Sequence, residues 1–183
     1  MILLEDTRNQ AGKHKNVARY CQENSIEIVR SKLVVGDYMS PYVSGISVDT
    51  KQNLEEVMKN ITEKRFRNEL LLAKKLDIHL VVLIEHGDGI TCTKDILKWK
   101  NPRLEFYKFQ LKRQLKLFGE YNEWYLYKLA KERSLNPKRP PQSPEQLYKS
   151  LITIESNEEY DVEFKFCSKE ETGRKILEIL SGK

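Results

Sequence analysis

Two aspartates and one lysine in the first third of the chain have types and a spacing that suit metal-ion chemistry. Asp49 and Lys51 stand two residues apart, and side chains two apart in a β-strand project from the same face. If residues 37–49 form a hairpin, Asp37 lies across from them on the neighbouring strand. Two carboxylates and one ammonium would then converge at one end of a sheet.

The chemistry that such a site supports is hydrolysis assisted by a hard divalent cation. Neighbouring carboxylates repel each other, and each tends to hold a proton unless a cation lies between them. An all-oxygen site suits Mg²⁺ or Mn²⁺, which can polarise a phosphodiester and lower the pKa of a bound water. Lys51 would orient the attacking water or stabilise charge that develops in the transition state. The alternative is an ordinary surface ion pair, because acidic-x-Lys triplets are common by chance.

Hydrophobic patterning predicts the elements that would position this site. Apolar runs or alternation predict strands near residues 2–4, 25–35, 46–49, 80–84 and 160–166. Apolar residues at helical spacing predict helices near residues 13–23, 53–61, 70–76, 104–118, 120–133, 143–154 and 176–180. Because strands alternate with helices at both ends of the chain, we expect an α/β fold around a central, largely mixed sheet.

The middle of the chain differs from the rest in charge. Residues 1–93 balance 13 Lys/Arg against 13 Asp/Glu, residues 94–141 carry 13 against 5, and residues 142–183 carry 6 against 9. The basic surplus therefore belongs to residues 94–141, which we interpret as a Lys- and aromatic-rich helical insertion in a single domain spanning residues 1–183. Such a surplus is expected for phosphate contacts, although a solvated helix face would look the same.

Composition excludes several classes of protein. The chain of 183 residues is 39% hydrophobic and 32% charged, which indicates a globular domain, and it has no apolar run long enough to span a membrane. We expect no signal peptide, and the three scattered cysteines favour a reduced, cytoplasmic setting. No phosphate-binding glycine loop or serine-nucleophile motif occurs, so no nucleotide cofactor is expected.

Five short motifs follow one another in an order that is specific to one family. They are Asp6-Thr7-Arg8, Gly36-Asp37-Tyr38, Val48-Asp49-Thr50-Lys51, Arg65-Phe66 and Val82-Leu83-Ile84-Glu85. With them, the chain resembles the nuclease domain of the XPF family of structure-specific endonucleases, within the wider PD-(D/E)xK group. The resemblance covers roughly residues 2–90 and 160–181.

This resemblance implies a restriction-endonuclease-like fold and a metal-dependent endonuclease that cuts branched or flapped duplex DNA. It implies that Asp37 and Asp49 are metal ligands and that Lys51 is the catalytic lysine. Asp6 would sit beside the metal or hold its waters, and Glu55 would be a further carboxylate of the site. The family's E-R-K reads D-T-K here, so an arginine that would contact phosphate is missing. Family members pair, which makes a symmetric homodimer plausible.

Cations near the motifs and in the insertion are the candidates for DNA contact. Arg8 and Arg65 belong to the family motifs, and Arg65 shares a helix face with Glu69, with which it could instead pair. In the insertion, Lys98, Trp99, Lys100 and Arg103 place an indole between cations, as in sites that stack unpaired bases. We expect most other aromatic residues of the insertion to pack its two helices together.

Two features separate the chain from typical family members. Nothing after residue 142 resembles the tandem helix-hairpin-helix domain that the family usually carries. The strings W-x-N-P-R at 99–103 and S-x-E-Q-L-Y-K at 143–149 instead resemble compact nuclease-like proteins of bacterial prophages. Two other functions remain open, a non-catalytic DNA-binding or scaffolding subunit and an accessory protein that acts on single strands.

Overall fold

A mixed six-stranded sheet forms the centre of the molecule. The computed structural model describes residues 1–9 and 14–182. The strands are β1 (Ile2–Asp6), β2 (Glu27–Ser31), β3 (Tyr38–Met39), β4 (Ile46–Lys51), β5 (His79–Glu85) and β6 (Val162–Cys167), in the order β2-β1-β3-β4-β5-β6. The pairs of β1 with β2, β4 with β5, and β5 with β6 are parallel, whereas β3 is antiparallel to both neighbours. The α/β fold with a mixed sheet is therefore confirmed.

Seven α-helices flank this sheet or extend from it in the described residues. They are α1 (Lys15–Glu23), α2 (Leu54–Asn60), α3 (Lys64–Lys75), α4 (Pro102–Leu115), α5 (Glu123–Glu132), α6 (Pro144–Glu155) and α7 (Thr172–Leu180). A 3₁₀ turn at Thr93–Lys98 precedes α4. No helix in this part of the chain combines the length and the hydrophobicity needed to cross a membrane.

β5 separates two hydrophobic cores. Leu80, Val82 and Ile84 pack on one face of the sheet with residues of α2, α3 and α6. Val81 and Leu83 pack on the other face with residues of α1 and α7. Successive side chains of a strand point to opposite faces, so a continuous apolar run is what a strand covered on both faces requires. The prediction of a fully buried strand at this position is confirmed.

The insertion forms a helical hairpin with a small core of its own. Leu111 and Leu115 of α4 pack against Leu126 and Ala130 of α5. α4 begins at Pro102 because the Asn101 side chain accepts a hydrogen bond from the Arg103 amide, and a proline fits the first helical turn. The helix pair predicted for this segment is thus present, with boundaries shifted by a few residues.

Other strand and helix boundaries differ from the predicted ones for local reasons. The predicted strand 25–35 is shortened to β2, because Ser25 has a positive φ of 54° and because the parallel register with β1 ends at the pair Asp6 and Ser31. The predicted helix 13–23 is present from Lys15, while residue 13 lies outside the described residues. The helix starts at Asn53 and Ser143 are confirmed, since both side chains cap their helices.

Gly36 gives a test of how tightly the turn before β3 is packed. It has a φ of 70°, and a Cβ there would overlap Ser47 Oγ and lie 3.0 Å from the Val48 carbonyl oxygen. Gly36→Ala should therefore lower the free energy of unfolding by roughly 3 kcal/mol, from left-handed strain plus overpacking. The measurement is chemical denaturation followed by circular dichroism.

Gly89→Ala is the matched control. Gly89 has a φ of 73° but no atom within 4 Å of the added Cβ, so only the backbone strain of about 1 kcal/mol applies. Equal destabilisation of the two variants would contradict the packing described for Gly36.

Candidate active site

A polar cleft lies where β4 ends beside the first turns of α2 and α3. It has a volume of about 220 Å³. Its walls include the following residues: Asp6, Arg8, Gly36, Asp37, Asp49, Thr50, Lys51, Glu56, Glu63, Arg65, Phe66 and Glu69. Two aspartates and a lysine predicted from sequence, Asp37, Asp49 and Lys51, are thus brought together in one cavity.

Asp37 is placed across from Asp49 by the β3–β4 pairing. Tyr38 pairs with Val48, and the Asp37 amide donates to the Val48 carbonyl at 2.8 Å. Thr50 holds the carboxylate, since its amide and its hydroxyl donate to Asp37 Oδ2 at 3.0 and 2.6 Å. One oxygen of Asp37 is therefore fixed by the end of β4, which orients the other oxygen of the same carboxylate.

Asp49 and Lys51 form a buried ion pair. Asp49 is 5% exposed and Lys51 is 9% exposed, and the Lys51 ammonium lies against Asp49 Oδ2. No donor other than this ammonium reaches Oδ2 among the described residues. Because burial removes the water that would otherwise stabilise the anion, the charge of Asp49 depends on Lys51.

The electrostatics of the pair reflect this burial. The pKa of Asp49 is raised to about 7, because desolvation by burial, helped by the charges of Asp37 and Glu69, outweighs the opposing effect of the Lys51 ammonium. Burial lowers the pKa of Lys51, but the carboxylates around it, Asp49 foremost, outweigh burial and the net pKa is raised. Lys51 is therefore a cationic hydrogen-bond donor at neutral pH rather than a base.

Asp6 lies in the cleft but is engaged by Arg8. The Arg8 amide donates to Asp6 Oδ1 at 2.8 Å, and the guanidinium donates to Oδ2 through Nε at 2.8 Å and through Nη2. Burial raises the pKa of Asp6, yet these hydrogen bonds outweigh it and the pKa is lowered. The Asp6 amide also donates to the Asp37 carbonyl at 2.8 Å. Asp6 and Arg8 thus form one wall of the cleft as a paired unit.

Glu55 does not lie in this cleft, contrary to the expectation that it joins the site. It lines a neighbouring cavity of about 460 Å³, and its Oε2 lies 3.3 Å from Arg103 Nε. The next residue, Glu56, lines the cleft instead, and its Oε2 accepts a hydrogen bond from the Gln52 amide at 2.8 Å. α2 buries Leu54 and Val57, and consecutive helical residues point about 100° apart, so only one of the two glutamates can face the site.

Glu69 is a cleft residue that was not predicted as part of the site. Its Oε1 accepts a hydrogen bond from the Gly36 amide at 3.1 Å, which ties α3 to the turn that carries Asp37. Arg65, one turn earlier on α3, also lines the cleft, and no ion pair joins it to Glu69 among the described residues. The sequence places Arg65 and Glu69 on the same helix face, which allows either an ion pair or two separate roles. In the structure both side chains line the cleft and do not form an ion pair.

The insertion residues proposed for DNA contact lie outside the cleft. Lys98 and Lys100 are exposed, and Lys98 Nζ lies 2.7 Å from Asp95 Oδ1. Trp99 is 9% exposed, packs in the main core, and contacts the His86 ring edge to face with centroids 5.9 Å apart. With so little surface exposed, the indole is not an open stacking platform. It does line the cavity of about 460 Å³ beside Lys98 and Lys100, so contact of Trp99 with DNA stays a prediction.

Comparisons with known proteins bear on the fold. Neither a protein-family model nor a curated protein matches the chain. Among solved structures, XPF from Aeropyrum pernix superposes with a TM-score of 0.55 and 13% sequence identity over 99% of this chain and 60% of that chain. XPF from Aeropyrum pernix in complex with DNA gives a TM-score of 0.55 and 12% identity over 98% and 63%.

The chain has the fold of the part of XPF that it matches. The resemblance inferred from the five motifs is therefore confirmed at the level of the fold. At this sequence identity the likeness speaks for the fold alone, and the chain spans about 60% of the length of the XPF chain that it matches.

The raised pKa of Asp49 predicts how stability depends on pH in EDTA. The folded protein holds this proton up to a pH of about 7, whereas an unfolded aspartate releases it near pH 4. The folded state therefore binds more protons in this window, and the stability of the wild-type protein should fall as the pH rises through it. Asp49→Asn removes that contribution. As the pH rises from about 5 to 7, the free energy of unfolding of the variant minus that of the wild type should therefore increase by roughly 1–2 kcal/mol.

Urea denaturation at several pH values measures this difference. Asp77→Asn is the control, because Asp77 is exposed and its positive φ of 55° also suits asparagine. A wild-type pH dependence retained in the Asp49→Asn variant would refute the raised pKa.

Proposed function

We propose that this chain is a metal-dependent DNA endonuclease that hydrolyses phosphodiester bonds in branched or flapped duplexes. The observation that carries the proposal is the convergence of Asp37, Asp49 and Lys51 in one polar cleft, with Asp49 buried and its Oδ2 contacted by no donor other than the Lys51 ammonium. The XPF-like fold supports it, since one of the two similar structures is XPF in complex with DNA.

The residues of the cleft fit a hard divalent ion. Asp37 and Asp49 would hold Mg²⁺ or Mn²⁺ as two carboxylate ligands, which is a usual number for an ion that keeps several waters. Among residues 1–9 and 14–182, no cluster of three or more acidic, histidine or cysteine ligands is arranged around a metal position. Such an ion, when bound, polarises the phosphodiester and lowers the pKa of a water. A cation there would also stabilise Asp49 as an anion, which burial alone disfavours.

The chain's own cations would complete the catalytic arrangement. Lys51, held protonated by Asp49, donates hydrogen bonds to the scissile phosphate and to charge developing on it. Arg65 lies in the same cleft and is the second donor for phosphate. Thr50 stands at the position of the family's arginine and instead orients Asp37, so phosphate binding falls to Arg65 and Arg8.

We further propose that the insertion contributes to DNA binding through its charge. Lys98, Lys100 and Arg103 lie next to the neighbouring cavity or on its rim, and Arg103 pairs with Glu55 of α2. A homodimer would present two cleavage sites to a branched substrate. The free thiols of Cys21, Cys92 and Cys167 favour a reducing, cytoplasmic setting, and repair or recombination would supply branched DNA.

Cleavage assays with labelled flap, fork, four-way and linear duplexes test the enzyme directly. Wild-type protein should cut a branched substrate with Mg²⁺ or Mn²⁺ and not in EDTA. Asp49→Ala and Lys51→Ala should each lower the rate by roughly 100-fold or more, because the first removes a proposed metal ligand and the second removes the cation that stabilises charge developing on the phosphate. DNA binding in EDTA should persist in both variants, since most phosphate contacts lie elsewhere.

Asp77→Asn serves as the control for folding and handling, and it should cleave at the wild-type rate. Binding of DNA without cleavage under every ion would refute the enzyme and favour a non-catalytic DNA-binding subunit.

Neutralising the insertion's cations should weaken binding and flatten its salt dependence. Each lysine or arginine that contacts phosphate releases counterions, which adds about 0.9 to the slope of log affinity against log salt. Replacing Lys98, Lys100 and Arg103 together with Ala should therefore lower the slope by about 2 to 3. Lys74→Ala, an exposed lysine at the end of α3, is a suitable control. An unchanged slope in the triple variant would remove these residues from the DNA interface.

A further inference from the structure

The phenylalanines of this chain fall into two groups with opposite exposure. Phe66, Phe164 and Phe166 are buried in the main core. The remaining three lie in the insertion and are exposed: Phe106 at 61%, Phe109 at 59% and Phe118 at 91%. Leaving a phenylalanine in water forgoes the stabilisation that its burial would give. Three such rings on one hairpin indicate a surface that is covered when the protein binds something.

Helix α4 presents two of these rings on the face that points away from its own core. It buries Leu104, Leu111 and Leu115, which follow helical spacing along one side. Phe106 and Phe109 are three residues apart on the opposite side, and Arg113 follows Phe109 by four. An aromatic stripe that continues into a cation therefore runs along the exposed face of this helix.

The loop after α4 holds the third ring beside this stripe. Lys116 adopts a left-handed conformation with a φ of 55°, and the Leu117 amide donates to the Lys112 carbonyl at 2.9 Å, as in a closed helix end. Lys112 Nζ also donates to the Gly119 carbonyl at 3.2 Å. This loop is thus tied back onto the helix with Phe118 pointing outward. Phe109 and Phe118 border a groove of about 700 Å³, together with Lys112, Arg113 and Lys116.

We propose that this groove, lined by Phe109, Phe118, Lys112, Arg113 and Lys116, binds an unpaired nucleic-acid strand by stacking its bases on the two rings. Aromatic faces between cations bind single strands without sequence preference, because every base has a π-face and every nucleotide has a phosphate. Bases inside a duplex are already stacked and do not offer their faces. A second copy of this chain is a poorer occupant, since its groove would bring a like set of cations.

The position of the groove connects it to the proposed cleavage site, and this part of the inference rests on the proposed function. α4 starts against α2, where the Asn101 side-chain Nδ2 donates to Met58 Sδ at 3.6 Å and Arg103 pairs with Glu55. Glu56 of the same short helix lines the catalytic cleft. The 14 residues of α4 span about 21 Å, which is about six base pairs of duplex. The groove therefore binds the unpaired arm of a branched substrate whose duplex lies in the cleft.

Fluorescence anisotropy in EDTA, with full-length protein, tests the groove separately from cleavage. The probes are a blunt duplex, the same duplex with a single-stranded arm, and the arm alone. The double variant Phe109→Ala/Phe118→Ala should lose at least about tenfold in affinity for the arm and for the tailed duplex, which corresponds to about 1.4 kcal/mol. Its affinity for the blunt duplex should change less than twofold.

Two matched variants separate stacking from folding and from general hydrophobicity. Phe109→Trp/Phe118→Trp should retain wild-type affinity for the arm, whereas Phe109→Leu/Phe118→Leu should lose it as the alanine variant does. Tyr42→Ala, which removes an exposed ring outside the insertion, should bind as wild type does. Circular dichroism should give the same helix content for all variants.

Several results would overturn the groove. Unchanged affinity for the arm in the alanine variant would do so, as would an equal loss on the blunt duplex. A wild-type dimer in sedimentation velocity that the alanine variant dissolves would assign the rings to self-association instead. If the protein binds the arm through the two rings in EDTA but cleaves no DNA, the proposed groove is supported and the proposed nuclease activity is refuted. Conversely, wild-type cleavage with ring-independent binding would refute the groove and leave the nuclease standing.

Discussion

The buried charge of Asp49 is the constraint around which the cleft is organised. A carboxylate at the end of a central strand is surrounded by the protein interior, and only the Lys51 ammonium offsets its charge directly. Two neighbouring carboxylates oppose that charge, Asp37 across the strand pair and Glu69 on α3. The fold stabilises this arrangement through the packing of β4 between β3 and β5, not through the site itself. Strain of this kind at one place in an otherwise well-packed domain is typical of functional sites.

A series of hydrogen bonds fixes the position of Asp37 relative to the sheet. Gly36 passes close to β4 because it has no side chain, and its amide is held by Glu69 from α3. Asp37 is the next residue. Its amide donates to the Val48 carbonyl, and its carboxylate accepts hydrogen bonds from Thr50. Asp6 joins through its amide on the Asp37 carbonyl. The two carboxylates are therefore positioned by three strands and one helix rather than by a flexible loop.

The sequence was enough to predict the fold and the centre of the site, because both depend on local patterns. The apolar run of β5 required cover on both faces, and the two-residue spacing of Asp49 and Lys51 placed them together. The hairpin assumed over residues 37–49 is confirmed by the antiparallel pairing of β3 with β4, which brings Asp37 opposite Asp49.

The sequence did not give the position of residues whose place depends on the rotation of a helix or on tertiary burial. Glu55 and Glu56 are adjacent in sequence, and only the packing of Leu54 and Val57 decides which of them faces the cleft. Trp99 stands between two lysines, as a surface residue would, yet it belongs to the main core. Glu69 is recognisable only once α3 is known to cross the turn at Gly36.

The α4–α5 hairpin encloses a nucleus of four side chains that it shares with no other element. Its two ends meet where the Asn101 side chain donates to the Gln142 carbonyl at 2.8 Å, between the cap of α4 and the Ser143 cap of α6. A unit joined in this way can change its length or its surface without moving the strands that position Asp37, Asp49 and Lys51.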